Sequence, residues 1–424
     1  MKAFRWRVLL AALAAASVAG AVLTATSVAA THARKATTIT FWHTMNEQET
    51  VTLQALVKQF EASHPDINVN VVAVPFDQRD AKFTAAAQAG KAPDVMRAEV
   101  ADVSNWAAQG FLADITSKVT AADKKDFLPS AFAYDNWNGK IWGLPQVTDA
   151  PALLYNKAMF KSAGIKQAPT TMAALAADCA KFPAGKGLFI RGDSYFIQPW
   201  IWAYGGDLFN TQTKQILIAN KGSVAGLTAY NKLFHSKCAF PDKDFANDYG
   251  NMQTAFKNGQ VAMIVNGPWS TADILSGPAF KSPSNLGVAP LPKGPAGAQG
   301  SPVGGHNYVI GRNTSNLSAA YTFIHWMDDP AQMAQFAAKN NLLPARVSAY
   351  KQPAVKTNRI IVDFLRQMKV ARNRPVTPQG GQIYADFGPN MQKVLLGEAT
   401  PSAGLNATAV AWKTKLFPDY KIVK

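Results

Sequence analysis

A switch of hydrophobic period within one short stretch constrains this chain more than any other feature. Thr38-Ile39-Thr40-Phe41-Trp42 reads as a strand, and from Glu47 to Ala62 the residues Val51, Leu53, Leu56, Val57 and Phe60 fall mostly along one helical stripe. His64-Pro65-Asp66 interrupts that helix, and Ile67 to Val74 first alternates and then runs apolar, as a strand does. Two strands joined through a helix run parallel, because such a crossover cannot close as a hairpin. A second helix over Gln78–Ala89 ends at Gly90, and Pro93-Asp94-Val95-Met96 reads as another buried strand. The chain is therefore expected to be α/β, with an open, doubly wound sheet.

Later segments repeat this mixture without a fixed-period repeat. Helices are expected over 171–181, 223–235, 251–258, 318–328, 330–339 and 357–369, and strands over 153–155 and 261–265. The Pro- and Gly-rich stretch from Pro290 to Gly305 shows no period and is expected as an exposed loop or loop–strand junction. It lacks the Gly-Lys-Ser/Thr of a phosphate loop. With 424 residues, 48% of them hydrophobic, the chain has material for two or three buried cores.

The first thirty residues stand apart. Lys2, Arg5 and Arg7 precede an apolar run from Val8 to about Leu23, and Ser27-Val28-Ala29-Ala30 supplies small residues for cleavage after Ala30. This is the layout of a secretory signal peptide; a retained anchor is the alternative, but the run falls short of the roughly 20 residues a membrane span needs. No cysteine lies near the cleavage region, so a lipid anchor is not expected. Cys179 and Cys238 are the only cysteines, and in an exported chain a pair is expected to form one disulfide; two buried thiols are the alternative.

The net charge of +16 reflects few acids, with 27 acidic against 43 basic residues. The basic residues are scattered, not gathered on one helix or stripe, which argues against a nucleic-acid partner. The six histidines lack metal-ligand spacing, no Gly-x-Ser-x-Gly elbow is present, and Arg191-Gly192-Asp193 is short enough to recur by chance. No enzyme activity, metal or cofactor is expected. What recurs is an aromatic beside polar groups at turns: Trp42-His43, Asp193-Ser194-Tyr195, Trp200 to Gly206, Asn266-Gly267-Pro268-Trp269, Gly304-Gly305-His306-Asn307-Tyr308. Ring faces with hydrogen-bonding neighbours suit a sugar, whereas Trp106, Trp142 and Trp326 sit in apolar segments and read as core.

Several signposts then occur in order: Phe41-Trp42 with Asn46-Glu47, Ala92-Pro93-Asp94-Val95, Gly139 to Pro145, Leu154-Tyr155-Asn156-Lys157, Ala168 to Thr171, Ala255 to Met263, and Asn266-Gly267-Pro268-Trp269. Together they resemble the extracellular solute-binding proteins of carbohydrate ABC importers, particularly the maltose/maltodextrin- and trehalose-binding group. The resemblance runs from about Thr38 to the C-terminus. It implies a two-lobed periplasmic-binding-protein fold with a hinge and a ligand cleft between lobes. The expected lobes are 37–147 plus 268–315, and 148–267 plus 316–424.

The resemblance also implies site residues. Glu47 matches a first-loop acid, Gln78 or Arg79 a polar helix start, Glu99 an acid after the Pro-Asp strand, and Asp149 an acid at the first hinge. Asp193 and Tyr195 match an acid and aromatic before a Gly-Gly turn, and Trp269 a stacking aromatic. Gly305 and His306 match a Gly-aromatic position where tryptophan is usual, and Arg374 an arginine of an Arg-x-Arg-Pro element. The implied partners are an oligosaccharide and membrane permease subunits, with the protein a monomer in the periplasm or at the cell surface. A sensor or adhesin without transport, and a peptide, polyamine or glycerol-phosphate ligand, are the alternatives. Polyamines would need clustered acids and phosphates an arginine cluster, and neither is visible.

Overall fold

The computed structural model describes residues 36–424, and the export segment expected over residues 1–30 lies outside the described residues. Two sheets organise the chain. The larger has the strand order Leu343–Pro344, Gly143–Asp149, Pro302–Ile310, Val95–Glu99, Thr37–His43, Ile67–Ala73. Thr37–His43 runs parallel to both Ile67–Ala73 and Val95–Glu99, as the opening pattern predicts. The intervening helix Glu47–Ser63 starts on Asn46, whose side-chain oxygen accepts the Glu49 backbone N–H at 2.9 Å. That bond satisfies one of the amides every helix start leaves unpaired. The helix then buries Leu53, Leu56, Val57 and Phe60 against Ile39, Phe41 and Phe323.

The smaller sheet is antiparallel, with Ala152–Asn156 between Met263–Asn266 and Leu286–Ala289. Its core gathers Met263 of the sheet with Trp200, Tyr230, Phe387 and Trp412 from helices across 198–415. A further buried group runs from Ala152 and Leu154 of the small sheet through Phe256 and Met333 to Leu343 of the large sheet and Phe364. Cys179 and Cys238 are joined in the small-sheet core, with Cα atoms 5.6 Å apart. Gly187 passes beside them where a Cβ would sit 2.6 Å from Cys179 Sγ.

Three features differ from the sequence expectation. The stretch from Pro290 is a loop–strand junction and not an exposed loop: it runs into Pro302–Ile310, a nine-residue strand at the centre of the large sheet, almost wholly buried. Its glycines are there for space: a Cβ on Gly304 would collide with the Asp149 carboxylate, and one on Gly305 with the Val147 carbonyl. Gly305 also holds a φ of 135°, next to a bulge between His306 and Asn307. The chain returns to the large sheet later than expected, since Leu286–Ala289 pairs in the small one. It also leaves later: the helix Leu317–Met327 packs Ala320, Phe323 and Ile324 onto the large-sheet core. The Pro/Gly-rich composition of 290–305 conceals this crossing, because nothing periodic marks it.

The aromatics also divide differently. Trp106 and Trp142 are core as expected, but Trp326 is only half-buried against Phe60. Trp200, Trp202 and Tyr308, which lie in segments read as sugar-facing, are buried. Trp200 and Trp202 share the short helix Gln198–Ala203, which is buried at every position, so packing claims both rings.

Candidate functional site

Three neighbouring strands carry Glu99, Asp149 and Gly304 to His306 to one rim of the large sheet. His306 lies opposite Glu99 in the register, and Gly304 opposite Asp149. Glu99 caps the helix Val100–Ala108, accepting the Ala101 N–H at 2.8 Å, and pairs with the Arg374 guanidinium. Arg374 Nε donates to the Val303 carbonyl at 3.2 Å, and its backbone N–H to the Tyr134 hydroxyl at 2.8 Å. The same guanidinium stands 5.4 Å from the Tyr195 ring and 5.9 Å from that of Tyr134. The Tyr195 hydroxyl donates to the Pro302 carbonyl at 3.2 Å, and Tyr384 completes the group with its ring 6.2 Å from that of Tyr195. Burial, and then the charge of Glu99, push Asp149 up to about 7, against the pull of Arg374 and Arg97.

Next to this group, Arg79 forks onto Asp102 at 2.6 and 3.2 Å. Arg97 donates to Gln146 at 2.7 Å and Thr44 at 3.3 Å and faces Glu49 at 3.5 Å. Each of the three arginines thus has its own carboxylate: Asp102, Glu49 and Glu99. Their charges are compensated within the wall, and such pairs fix donor geometry more than they attract charge. His306 is held well below its ordinary pKa by burial, then by Arg97, Arg79 and Arg374, so its ring is neutral. Both ring nitrogens are buried without a hydrogen-bond partner among the described residues.

Trp269 follows the strand Met263–Asn266, its ring folded where a Gly267 Cβ would go. It is half-buried, packs against the cores of both sheets, and its carbonyl accepts the Asn46 side-chain N–H at 3.3 Å. Glu47 is exposed at the start of its helix; Glu49, two residues on, is the acid that turns inward to Arg97. Asp193 accepts the Tyr195 N–H at 2.8 Å and faces Arg191 at 3.4 Å. It lines a cavity of about 710 Å³ together with Asp248, Tyr249, Tyr384 and Gly388. Arg191 is clamped there by Asp248 at 2.7 Å and lies between the rings of Phe196 and Tyr249.

Of the residues expected in the site, Glu99, Asp149, Tyr195, Gly305, His306 and Arg374 converge, with Arg79 adjoining them. Asp193 borders the cavity together with Tyr384, Trp269 packs against both cores, and Glu47 is exposed at the helix start beside Asn46, whose side chain reaches the Trp269 carbonyl. Arg97, Glu49, Tyr134, Tyr249 and Tyr384 escaped the sequence reading. A charge in the buried strand Val95-Met96-Arg97-Ala98 was a usable sign for Arg97; nothing local marks the tyrosines. Among the described residues, no group of three or more His, Cys, Asp or Glu could hold a metal ion, and no helix is long and apolar enough to cross a membrane. The wall offers ring faces, fixed donors and acceptors, and balanced charge, which suits a neutral, hydroxyl-rich solute.

Comparison with known proteins bears on the same point. Residues 46–334 match the family of bacterial extracellular solute-binding proteins. The maltodextrin-binding protein MdxE of Bacillus subtilis is 26% identical over 345 residues, 78% of this chain and 79% of that protein. The maltotriose-binding protein of Pyrococcus abyssi is 24% identical over 368 residues, 84% of this chain and 77% of that one. The GacH receptor of Streptomyces glaucescens, solved unliganded and with acarbose, superposes with a TM-score of 0.86 at 38% identity, covering 91% of this chain and 100% of that one. Its two-lobed binding-protein fold is the fold described here. The chain belongs to the bacterial extracellular solute-binding proteins.

Proposed function

We propose that the protein binds an α-linked gluco-oligosaccharide, maltose or maltodextrin or else trehalose, between its lobes and delivers it to an ABC importer. The observation that carries this reading is the convergence of Tyr195, Tyr384, Glu99, Asp149 and Arg374 on one rim, with Trp269 touching both cores. Aromatic faces take the C–H faces of a pyranose, and charge-assisted acceptors and donors take its hydroxyls. Relatives named for maltodextrin and maltotriose binding, and the receptor solved with acarbose, support the same ligand class. The lobes close over the sugar by a hinge where the chain crosses between sheets. Export, action as a monomer, and docking on membrane permease subunits belong to the same proposal.

Calorimetric titration with maltose, maltotriose, trehalose, cellobiose and glycerol 3-phosphate tests the ligand class. The α-glucosides are expected to bind more tightly than the other two. Binding of cellobiose or glycerol phosphate alone would refute the assignment and leave the fold untouched.

A further inference from the structure

We propose that Phe76, backed by Arg79 and bordered by His306, forms an additional stacking platform for one ring of the ligand, with the His306 nitrogens bonding that ring's hydroxyls. This rests on the oligosaccharide reading above and extends it to a subsite none of the expected stacking aromatics provides.

Phe76 opens the one-turn 3₁₀ segment Phe76–Gln78, directly after Pro75 and before the helix Arg79–Gln88. It is 49% exposed and belongs to none of the buried clusters, the one phenylalanine so exposed among the described residues. A large apolar ring left in water costs free energy unless a partner covers it. The turn nevertheless holds the ring firmly. The Arg79 guanidinium lies 4.1 Å from its centroid, and Arg79 Nη1 donates to the Phe76 carbonyl at 3.0 Å. Arg79 is itself locked by its fork onto the buried Asp102. One side of the ring is therefore backed by a fixed cation, and little ordering is left for a ligand to impose on it.

The edge of this platform is His306, whose ring meets Phe76 in a T-shaped contact at 6.1 Å. A neutral imidazole presents one donor and one acceptor, and here both are buried and unpaired among the described residues. Leaving such groups unsatisfied is costly, and two sugar hydroxyls, one accepting from the ring N–H and one donating to the other nitrogen, relieve them. His306 also lies opposite Glu99, so the platform is continuous with the rim that holds Asp149 and Arg374. An aromatic face beside hydroxyl-binding nitrogens fits a pyranose better than it fits a purely apolar or a charged ligand.

The test is calorimetry with maltose, maltotriose and maltotetraose on the wild-type chain and on Phe76→Ala, Phe76→Trp, His306→Ala and Trp269→Ala. Thermal melts of the unliganded variants confirm that each is folded. Phe76→Ala is expected to weaken at least one of the three ligands tenfold or more, with Phe76→Trp restoring most of the affinity. His306→Ala is expected to weaken the same ligand, and the ¹⁵N resonances of the wild-type His306 ring should shift when that ligand is added. The proposal is overturned if Phe76→Ala and His306→Ala both stay within twofold of wild type for all three sugars while Trp269→Ala weakens them. Failure of the wild-type chain to bind any of the sugars would instead overturn the oligosaccharide reading itself.

Discussion

Trp269 packs against the cores of both sheets while keeping part of its ring exposed, so under the proposed function it serves ligand and fold at once. Truncating a stacking aromatic in a closed cleft commonly costs about 2 kcal/mol or more, roughly 30-fold in affinity. Trp269→Ala is therefore expected to weaken oligosaccharide binding by that factor in calorimetry, with a smaller loss of stability. Trp412 gives the contrast: it is fully buried, and its ring N–H donates to the Ile383 carbonyl at 2.9 Å. Trp412→Ala should lower unfolding free energy by about 3–5 kcal/mol in urea titrations and leave the affinity of the folded fraction near wild type. Trp326 cannot serve as that core control, because half-burial against Phe60 leaves less to lose. The contrast fails if Trp269→Ala unfolds the chain without changing affinity. The resemblance pointed to Glu99, Asp149, Tyr195 and Arg374, which the fold brings together. It carried no sign of Glu49 with Arg97, or of Asp102 with Arg79, because a buried charge read alone does not name a partner 48 or 23 positions away.

At the scale of elements, legibility followed pattern: a wet face imprints a period, and an unbroken apolar run such as 261–265 marks a buried strand. The opening strand–helix–strand unit was readable because each element keeps one wet face, which imprints a period on the residues. Gly143–Asp149 and Pro302–Ile310 are buried on both faces, so no alternation marks them, and the second also carries Pro302 and two glycines. The helix Ile383–Leu395 was hidden by Pro389 within it. Gly305 is the sharpest test of the central strand. Its φ of 135° is open mainly to glycine, and the Val147 carbonyl occupies the place of a Cβ. Gly305→Ala should cost at least about 2 kcal/mol in chemical denaturation, and a loss below about 0.5 kcal/mol would contradict the packing described. The bridge between Cys179 and Cys238 acts on the unfolded chain instead. It closes a loop with a sequence separation of 59, worth about 4 kcal/mol in the chain-entropy account. The double Cys→Ser variant is expected to lose that much unfolding free energy in chemical denaturation, and mass spectrometry of the unreduced protein should find no alkylatable thiol.

Across the whole molecule, the scarcity of acids acquires meaning from where the acids sit. Burial pushes Asp149 up to about 7 and Asp102 up to about 6, and holds Asp135 and Asp328 well above the ordinary value. A carboxyl raised on folding binds more protons folded than unfolded, so its stabilising effect is full below its unfolded pKa near 4 and is lost as pH rises through the folded value. These four therefore make the protein less stable on going from pH 5 to pH 8. Two histidines act the other way: burial holds His43 down to about 4 and His306 lower than its ordinary 6.5. They bind fewer protons folded than unfolded, so they withdraw stability as pH falls from about 6.5 toward 4. Self-repulsion of a chain with a net charge of +16 adds to that acid limb as the remaining carboxylates are neutralised. The four raised carboxyls outnumber the two lowered histidines, so the protein is expected to be more stable near pH 5 than at pH 8. Melting temperatures of the unliganded protein should fall between pH 5 and pH 8. In Asp149→Asn, which removes one raised carboxyl, the advantage over wild type should be small at pH 5 and grow toward pH 8. A melting temperature that climbs steadily to pH 8, or an Asp149→Asn advantage that is flat with pH, would show that the buried acids are not protonated as their surroundings require.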